Sequence, residues 1–303
     1  MIRAVMTKGH IIGIGGAHFD WIAQKTQSGP HGASTPGEAK TFAGGCCLNT
    51  LRVLAQLLPS NRITMISARG GDAAGSAVQA AMEEAGLEDQ SAVFLDRTTP
   101  TYTAILNADG DVEAAVADMA LYETALPRHL RRLEVRQALA AAEVLVIDAN
   151  LPGDAIKATA EAFDGLVVAL AISPAKAERL RESARCIDLV FMNHREQAGL
   201  GDFETMGLKN AVITAGSETI TIYEDGTEAT ISPGTLHDIV DVTGAGDALA
   251  GATLAARLTK PALSLPDAVT IGVKAAHKAL QTPGPLVKIN WDDLRTKADM
   301  DGQ

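Results

Sequence analysis

Four short apolar runs, Val144–Asp148, Leu166–Leu170, Ile187–Met192 and Ala211–Thr214, follow one another with helical segments between most of them. A strand cannot pair in parallel with the next through a tight turn. It needs a long crossover, most often a helix. The alternation therefore predicts an α/β fold: a central, mostly parallel sheet with helices on both faces. His10–Ile14, stopped by Gly15-Gly16, reads as another buried strand, and Arg62–Ala68 as a further one. Helices are predicted at Cys46–Leu58, Ala73–Ala85, Ala245–Leu258 and Leu265–Leu280. Two Asp-Gly pairs mark hairpins, one joining Thr101–Ala108 to Val112–Ala117 and one joining Thr219–Tyr223 to Glu228–Ile231. Segments near 17–43 and 92–117 do not fit the alternation. They are predicted to form a small sheet that covers a site as a lid, within a single domain spanning 1–303.

Composition excludes several classes of function. With 26 Lys+Arg against 37 Asp+Glu, the formal net charge is −11. Nucleic-acid polymers need a basic patch, so they are not expected partners. A small anionic ligand held by backbone amides remains compatible with that charge. No run of apolar residues is long enough to span a membrane. Met1–His10 leads into a strand rather than a signal peptide. Cys46, Cys47 and Cys186 form neither a disulfide framework nor a zinc-ligand spacing, which predicts a reduced, cytoplasmic setting.

The most informative stretch is Asp241-Val242-Thr243-Gly244-Ala245-Gly246-Asp247, which opens an apolar helix. Glycines there admit close backbone approach, and free N–H groups at a helix start attract an anion. Asp247 beside such an anion hole is placed to accept a proton from an attacking hydroxyl. It is equally placed to serve as a first-turn acid that complements the helix dipole. The residues alone leave both readings open.

The heptapeptide resembles the C-terminal signature of the PfkB/ribokinase family of carbohydrate and nucleoside kinases, with Leu249 where the family commonly has Phe. Other matches follow in family order along nearly the whole chain. They are Gly15-Gly16 with Asp20, Gly44-Gly45-Cys46-Cys47-Leu48-Asn49 as GGxxxN, Gly71-Asp72 with Gly75, Asn193-His194-Arg195-Glu196 as NxxE, and Thr214-Ala215-Gly216 as TxG. His18 stands where relatives often carry Asn. A narrower similarity, to the pseudouridine kinase branch, rests on Ser34–Gly37, Thr101-Tyr102, Ala117-Asp118-Met119, Tyr122-Glu123 and Asp148–Pro152, although Gly45–Asn49 departs from that branch.

The resemblance implies a ribokinase-like fold and ATP-dependent transfer of the γ-phosphate to a hydroxymethyl hydroxyl. A sugar or nucleoside would be the substrate, pseudouridine on its 5′-hydroxyl first, with a free sugar of the ribose, fructose or 2-keto-3-deoxygluconate type as the alternative. It implies Asp247 as base and Gly244, Ala245 and Gly246 as the anion hole. Asp20, Gly45, Asn49, His18 and Asp118 would contact the substrate. Asn193, Thr214, Gly216, Thr243, Gly244, Gly246 and His277 would surround ATP. Glu196 with Asn193 would organise Mg²⁺ through water. For Asn193 and Glu196 the residues by themselves read as a helix start, for Asp20 and Asn49 as turn and cap residues, and for Asp118 and His277 as surface bystanders. Some relatives carry a monovalent cation such as K⁺ near the position of Asp241, and lid sheets of the family often pair, which implies a homodimer. Two rival classes compete. A dinucleotide-binding oxidoreductase fails at Gly13-Ile14-Gly15, because His18 occupies the place of the third glycine. A non-catalytic sugar- or nucleoside-binding regulator has no need of Asp247 together with Glu196.

Overall fold

The computed structural model describes residues 9–30, 32–201 and 206–294; most of the Met1–His10 segment read above lies outside them. The strands in chain order are β1 His10–Ile14, β2 His18–Lys25, β3 Gly37–Gly44, β4 Arg62–Ile66, β5 Ala68–Gly70, β6 Glu88–Asp89, β7 Ala92–Phe94, β8 Thr101–Leu106, β9 Val112–Asp118, β10 Val144–Asp148, β11 Leu166–Leu170, β12 Leu189–Asn193, β13 Ala211–Thr214, β14 Ile220–Glu224 and β15 Thr227–Ile231.

The large sheet runs in the order β15-β14-β13-β12-β11-β10-β1-β4-β6. Every pair from β6 to β13 is parallel, and the β13-β14-β15 meander is antiparallel. Strand alternation splits its side chains between two cores. Ile11, Val144, Val146 and Val168 meet the helices Cys46–Leu57, Ala245–Thr259 and Leu265–Leu280 on one face. Ile12, Ile14, Leu145 and Ile147 meet Leu126, Val135 and Ile156 of the shorter helices on the other. All of these strand residues are essentially inaccessible to water, which is why the strands read as continuous apolar runs.

A second sheet has the order β3-β2-β8-β9. The segment 92–117 does not enter it whole. Ala92–Phe94 pairs instead with Ala68–Gly70 in a two-stranded ribbon. Arg62–Ala68 is accordingly not one strand. Ser67 breaks the ladder, its N–H bonding to the Ser91 hydroxyl at 3.1 Å and its own hydroxyl donating to Gly15 O at 2.7 Å. The chain then leaves the large sheet and continues as β5.

Candidate active site

In parallel α/β sheets, ligands bind beyond the carboxyl ends of the strands. Here those ends deliver Gly15-Gly16 after β1, Asp148 at the end of β10, Ile172 after β11, Asn193 closing β12 and Thr214 closing β13. A cavity of about 170 Å³ opens beside the ends of β11, β12 and β13, lined by Cys46, Ile172, Glu196, Thr214, Gly246 and Asp247, with other residues of the same elements. A larger groove of about 600 Å³, beside Leu133, Ala158 and Phe163, contains none of the site residues expected from the sequence. Chemistry rather than size marks the site.

Asp247 stands in the first turn of the Ala245–Thr259 helix. Gly244 caps that helix in the left-handed region (φ 78°), a conformation a side chain would strain, and a Cβ would also press on the Pro285 backbone. The first intrahelical bond runs from Ala248 N–H to Gly244 O at 2.8 Å, so the N–H groups of Ala245, Gly246 and Asp247 have no helical acceptor. Asn49, one turn into the Cys46–Leu57 helix, donates Nδ2–H to Asp247 Oδ2 at 2.9 Å. Burial pushes the Asp247 carboxyl up to about 6, against the hydrogen bonds from Asn49 and the Cys46 thiol that favour its charged form, with Asp148 adding repulsion. The Cys46 and Cys47 thiols are pushed well up by burial and by the same carboxylates. Their position at a helix N-terminus therefore does not activate them.

Asp20 is buried on β2, and its Oδ1 lies 3.3 Å from His18 Nε2. Asp20 Oδ1 and His18 Nδ1 are both buried and make no hydrogen bond within the protein. The His18 ring tilts over Tyr122, whose hydroxyl accepts the Ala17 N–H at 3.0 Å. Gly45 is the cap of the Cys46–Leu57 helix. Gly44, just before it, must lack a side chain because a Cβ would overlap the Asp20 carboxylate.

Asn193 and Glu196 form a capping box. Asn193 Oδ1 accepts the N–H groups of Arg195 (2.9 Å) and Glu196 (3.0 Å), and Glu196 Oε2 accepts Asn193 N–H (2.8 Å). Both lone pairs of the Asn193 oxygen are thereby engaged in the cap. Glu196 is buried in the cavity wall, and burial raises its pKa above the usual carboxylate value against hydrogen bonds from the Asn193 backbone and side chain. Among the described residues no group of three or more metal-ligating side chains occurs. A single carboxylate in the cavity wall suits a cation that keeps most of its water, as Mg²⁺ does.

The remaining expected residues are dispersed. Asp241 Oδ1 accepts Thr243 N–H and its Oδ2 accepts Gly284 N–H, both at 2.9 Å. Burial opposes its ionisation, but these bonds outweigh burial and hold the carboxyl below its ordinary value. Gly216, in the left-handed region, turns the chain after Thr214. His277 is half-buried in the last turn of its helix, and that helix ends at Leu280, whose O anchors Val240 and Asp241 N–H. It does not line the cavity. Asp118 is not brought to Asp20. Asp20 is in register with Tyr102 and Ala117, whereas Asp118 shares the row of Thr101 and Phe19 on the opposite face. It is exposed, and its Oδ1 receives Ala120 N–H at 3.5 Å.

Two positions gain weight only in three dimensions. Asp148, fully buried, accepts Gly16 N–H at 2.7 Å and the backbone and side-chain N–H groups of Asn150 at 2.9 and 3.2 Å. It thus fixes the glycine turn that leads to His18 and Asp20. Asn150 Oδ1 in turn accepts a bond from Lys176 Nζ at 2.6 Å. An acid ending an otherwise apolar strand was its signal in the sequence. Ile172 had none.

The pfkB family carbohydrate kinase model matches residues 8–291. The chain belongs to this family. It is a phosphotransferase with an alcohol group as acceptor, on a ribokinase-like fold. A carbohydrate kinase from Agrobacterium tumefaciens is similar at 37% identity, covering 94% of this chain and 95% of that one, with a TM-score of 0.81. The ribokinase of Lactococcus lactis subsp. lactis (strain IL1403) is 26% identical over 289 residues, 92% of each chain. The Arabidopsis thaliana ribokinase, solved with ribose and ATP, shares the fold with a TM-score of 0.76 at 19% identity, covering 91% of this chain and 94% of its own.

Proposed function

We propose that this kinase transfers the γ-phosphoryl group of ATP to the hydroxymethyl hydroxyl of a ribose-bearing nucleoside, with pseudouridine the first substrate to test. The observation that carries the catalytic part is the Asp247 carboxylate, oriented by Asn49 at a helix start whose N–H groups have no helical acceptor. Asp247 takes the proton of the acceptor hydroxyl as its oxygen bonds to the γ-phosphorus. The bond to the β–γ bridging oxygen breaks, and ADP leaves with that electron pair. The N–H groups of Ala245, Gly246 and Asp247 bind the charged phosphoryl oxygens without reorganising. Gly244 bends the chain so that they can.

Asp20 and Asn49 hold ribose hydroxyls, and Asp20 Oδ1, which has only the His18 ring beside it, and the buried His18 Nδ1, which has no hydrogen bond, supply groups that a polar substrate would satisfy. Thr214, Gly216 and Thr243 border the nucleotide. Glu196 would hold Mg²⁺ through its water shell, where the ion neutralises phosphate charge. The β2-β3-β8-β9 sheet acts as a lid over the acceptor. Trp21, Ile105 and Val116 share one exposed face of it, which favours pairing with a second copy. The choice of a nucleoside rests on the motifs at Ser34–Gly37, Thr101-Tyr102 and Asp148–Pro152.

The test is ADP release with product identification across pseudouridine, other nucleosides, ribose, fructose and 2-keto-3-deoxygluconate. Turnover on a free sugar with none on any nucleoside would overturn the substrate assignment and leave the roles of Asp247 and Glu196 standing.

A further inference from the structure

Beyond Leu170, β11 runs out toward the cavity. Ala171 N–H still pairs with Phe191 O at 3.1 Å, and Ser173 N–H turns back to Ala171 O at 2.9 Å. This three-residue turn is centred on Ile172, with φ at 72°. The left-handed region is a steric outlier for a β-branched residue, because Cβ crowds the following carbonyl oxygen. A γ-turn of this hand is itself rare and strained. Such a residue costs about 1–3 kcal/mol and persists where its surroundings over-determine it.

The other non-glycine residues with positive φ among the described residues are Asp225 and Asp238, and aspartate tolerates that region. Glycine would occupy position 172 without strain, as it does at twelve other positive-φ positions among the described residues. An isoleucine there is retained for its side chain. That side chain packs against the apolar clusters on both faces of the sheet and lines the cavity together with Cys46, Glu196 and Asp247. The neighbouring apolar wall, Leu170, Phe191, Val212 and Leu249, comes from regular strands and a helix. Ile172 is the member bent into place at a backbone cost.

Water is the competing acceptor in any phosphoryl transfer. If it enters, its oxygen bonds to the γ-phosphorus, the bond to the bridging oxygen breaks, and ADP leaves with that electron pair. The water proton passes through Asp247 to solvent, and inorganic phosphate is released. We propose that Ile172 is a specificity-determining residue that excludes water from the transfer point, so that ATP is consumed only when a hydroxyl acceptor receives the phosphoryl group. This rests on the proposed role of the Asp247 cavity, and wild-type turnover on the acceptor panel checks that role separately.

The experiment measures inorganic phosphate released from Mg-ATP, with and without each acceptor of the panel, because transfer to an alcohol releases none. Ile172→Gly removes strain and wall together. Ile172→Asn keeps bulk, tolerates the backbone and admits water. Ile172→Val keeps the branched wall. Expected are several-fold faster phosphate release in the Gly and Asn variants, a melting temperature for Gly at or above wild type, and wild-type phosphate release in Val. Unchanged phosphate release in folded Gly and Asn variants would overturn the proposal. So would a melting temperature lowered by several degrees in both with no gain in phosphate release, since that is the signature of a packing residue.

Discussion

Replacing Asp247 by Asn should remove turnover and stabilise the protein at the same time. The amide keeps the shape of the side chain, and its oxygen still accepts the bond from Asn49 Nδ2. What it removes is a charge that the fold disfavours. Burial lifts this carboxyl from the ordinary 3.8 to about 6. That gap corresponds to ~3 kcal/mol of destabilisation once the group is ionised, and partial exposure of the residue reduces it to about 2 kcal/mol. Unfolding entropy of about 2.1 cal/mol/K per residue over 303 residues converts this to a rise in melting temperature of about 3 °C.

The sign depends on pH in a definite way. The folded pKa lies above the unfolded one, so between about pH 4 and 6 the native state binds more protons than the unfolded chain. This contribution to wild-type stability therefore falls as pH rises through that window and is level above it. The advantage of the Asn variant should be full at pH 7.5 and reduced to about one third of that at pH 4.5. Thermal melts of both proteins at the two pH values, together with steady-state rates, make the test. Loss of the base should cost about 10²–10⁴ in kcat, and the wild-type kcat/KM should fall on acidification through about pH 6. An Asn variant that melts at or below wild type at pH 7.5 would refute the buried-charge argument, and near-normal kcat would remove Asp247 as the base.

Three further substitutions separate the other parts of the site. Glu196→Gln removes the carboxylate charge, so a titration should need more Mg²⁺ for half-maximal rate while the acceptor KM changes little. Asp20→Ala should raise the acceptor KM by about tenfold or more, the worth of a lost charged hydrogen bond, and leave the ATP KM within about twofold. Gly44→Ala drives a methyl group into the Asp20 carboxylate and should reproduce that KM effect in steady-state assays by displacing Asp20 while leaving its carboxylate in place.

Much of the fold was legible because it is local. Short apolar runs gave β1, β10, β11 and β13 nearly to the residue, and Leu265–Leu280 matches its predicted helix at both ends. Asp247 could be singled out because its anion hole is contiguous with it in sequence, and Asn49 only because Gly44–Asn49 resembles the family's GGxxxN motif. Asp118 failed for a reason that no local pattern carries. One step in strand register exchanges the two faces of a sheet, and its partner row is fixed by pairing with β8 and, through it, β2. Ala92–Phe94 was misplaced likewise, since its partner Ala68–Gly70 exists only because Ser67 interrupts the strand before it.

What stayed hidden is how the site residues come together. Asp148, Ile172, Glu196 and Asp247 lie far apart in the chain, and each is delivered to the site by the end of a strand or the start of a helix. Parallel strands that share one direction expose their carboxyl ends together, so a single edge of the sheet gathers groups from five separate segments. Each segment taken alone has an ordinary explanation, whether a capping box at Asn193, a strand-terminal acid at Asp148 or an apolar residue at 172. Only their convergence makes carboxylates repel one another at Asp247 and gives a strained isoleucine something to exclude. The chemistry of this chain is therefore a property of strand order more than of any motif, and a substitution at Ile172 or Asp148 should alter it as surely as one in the glycine turn.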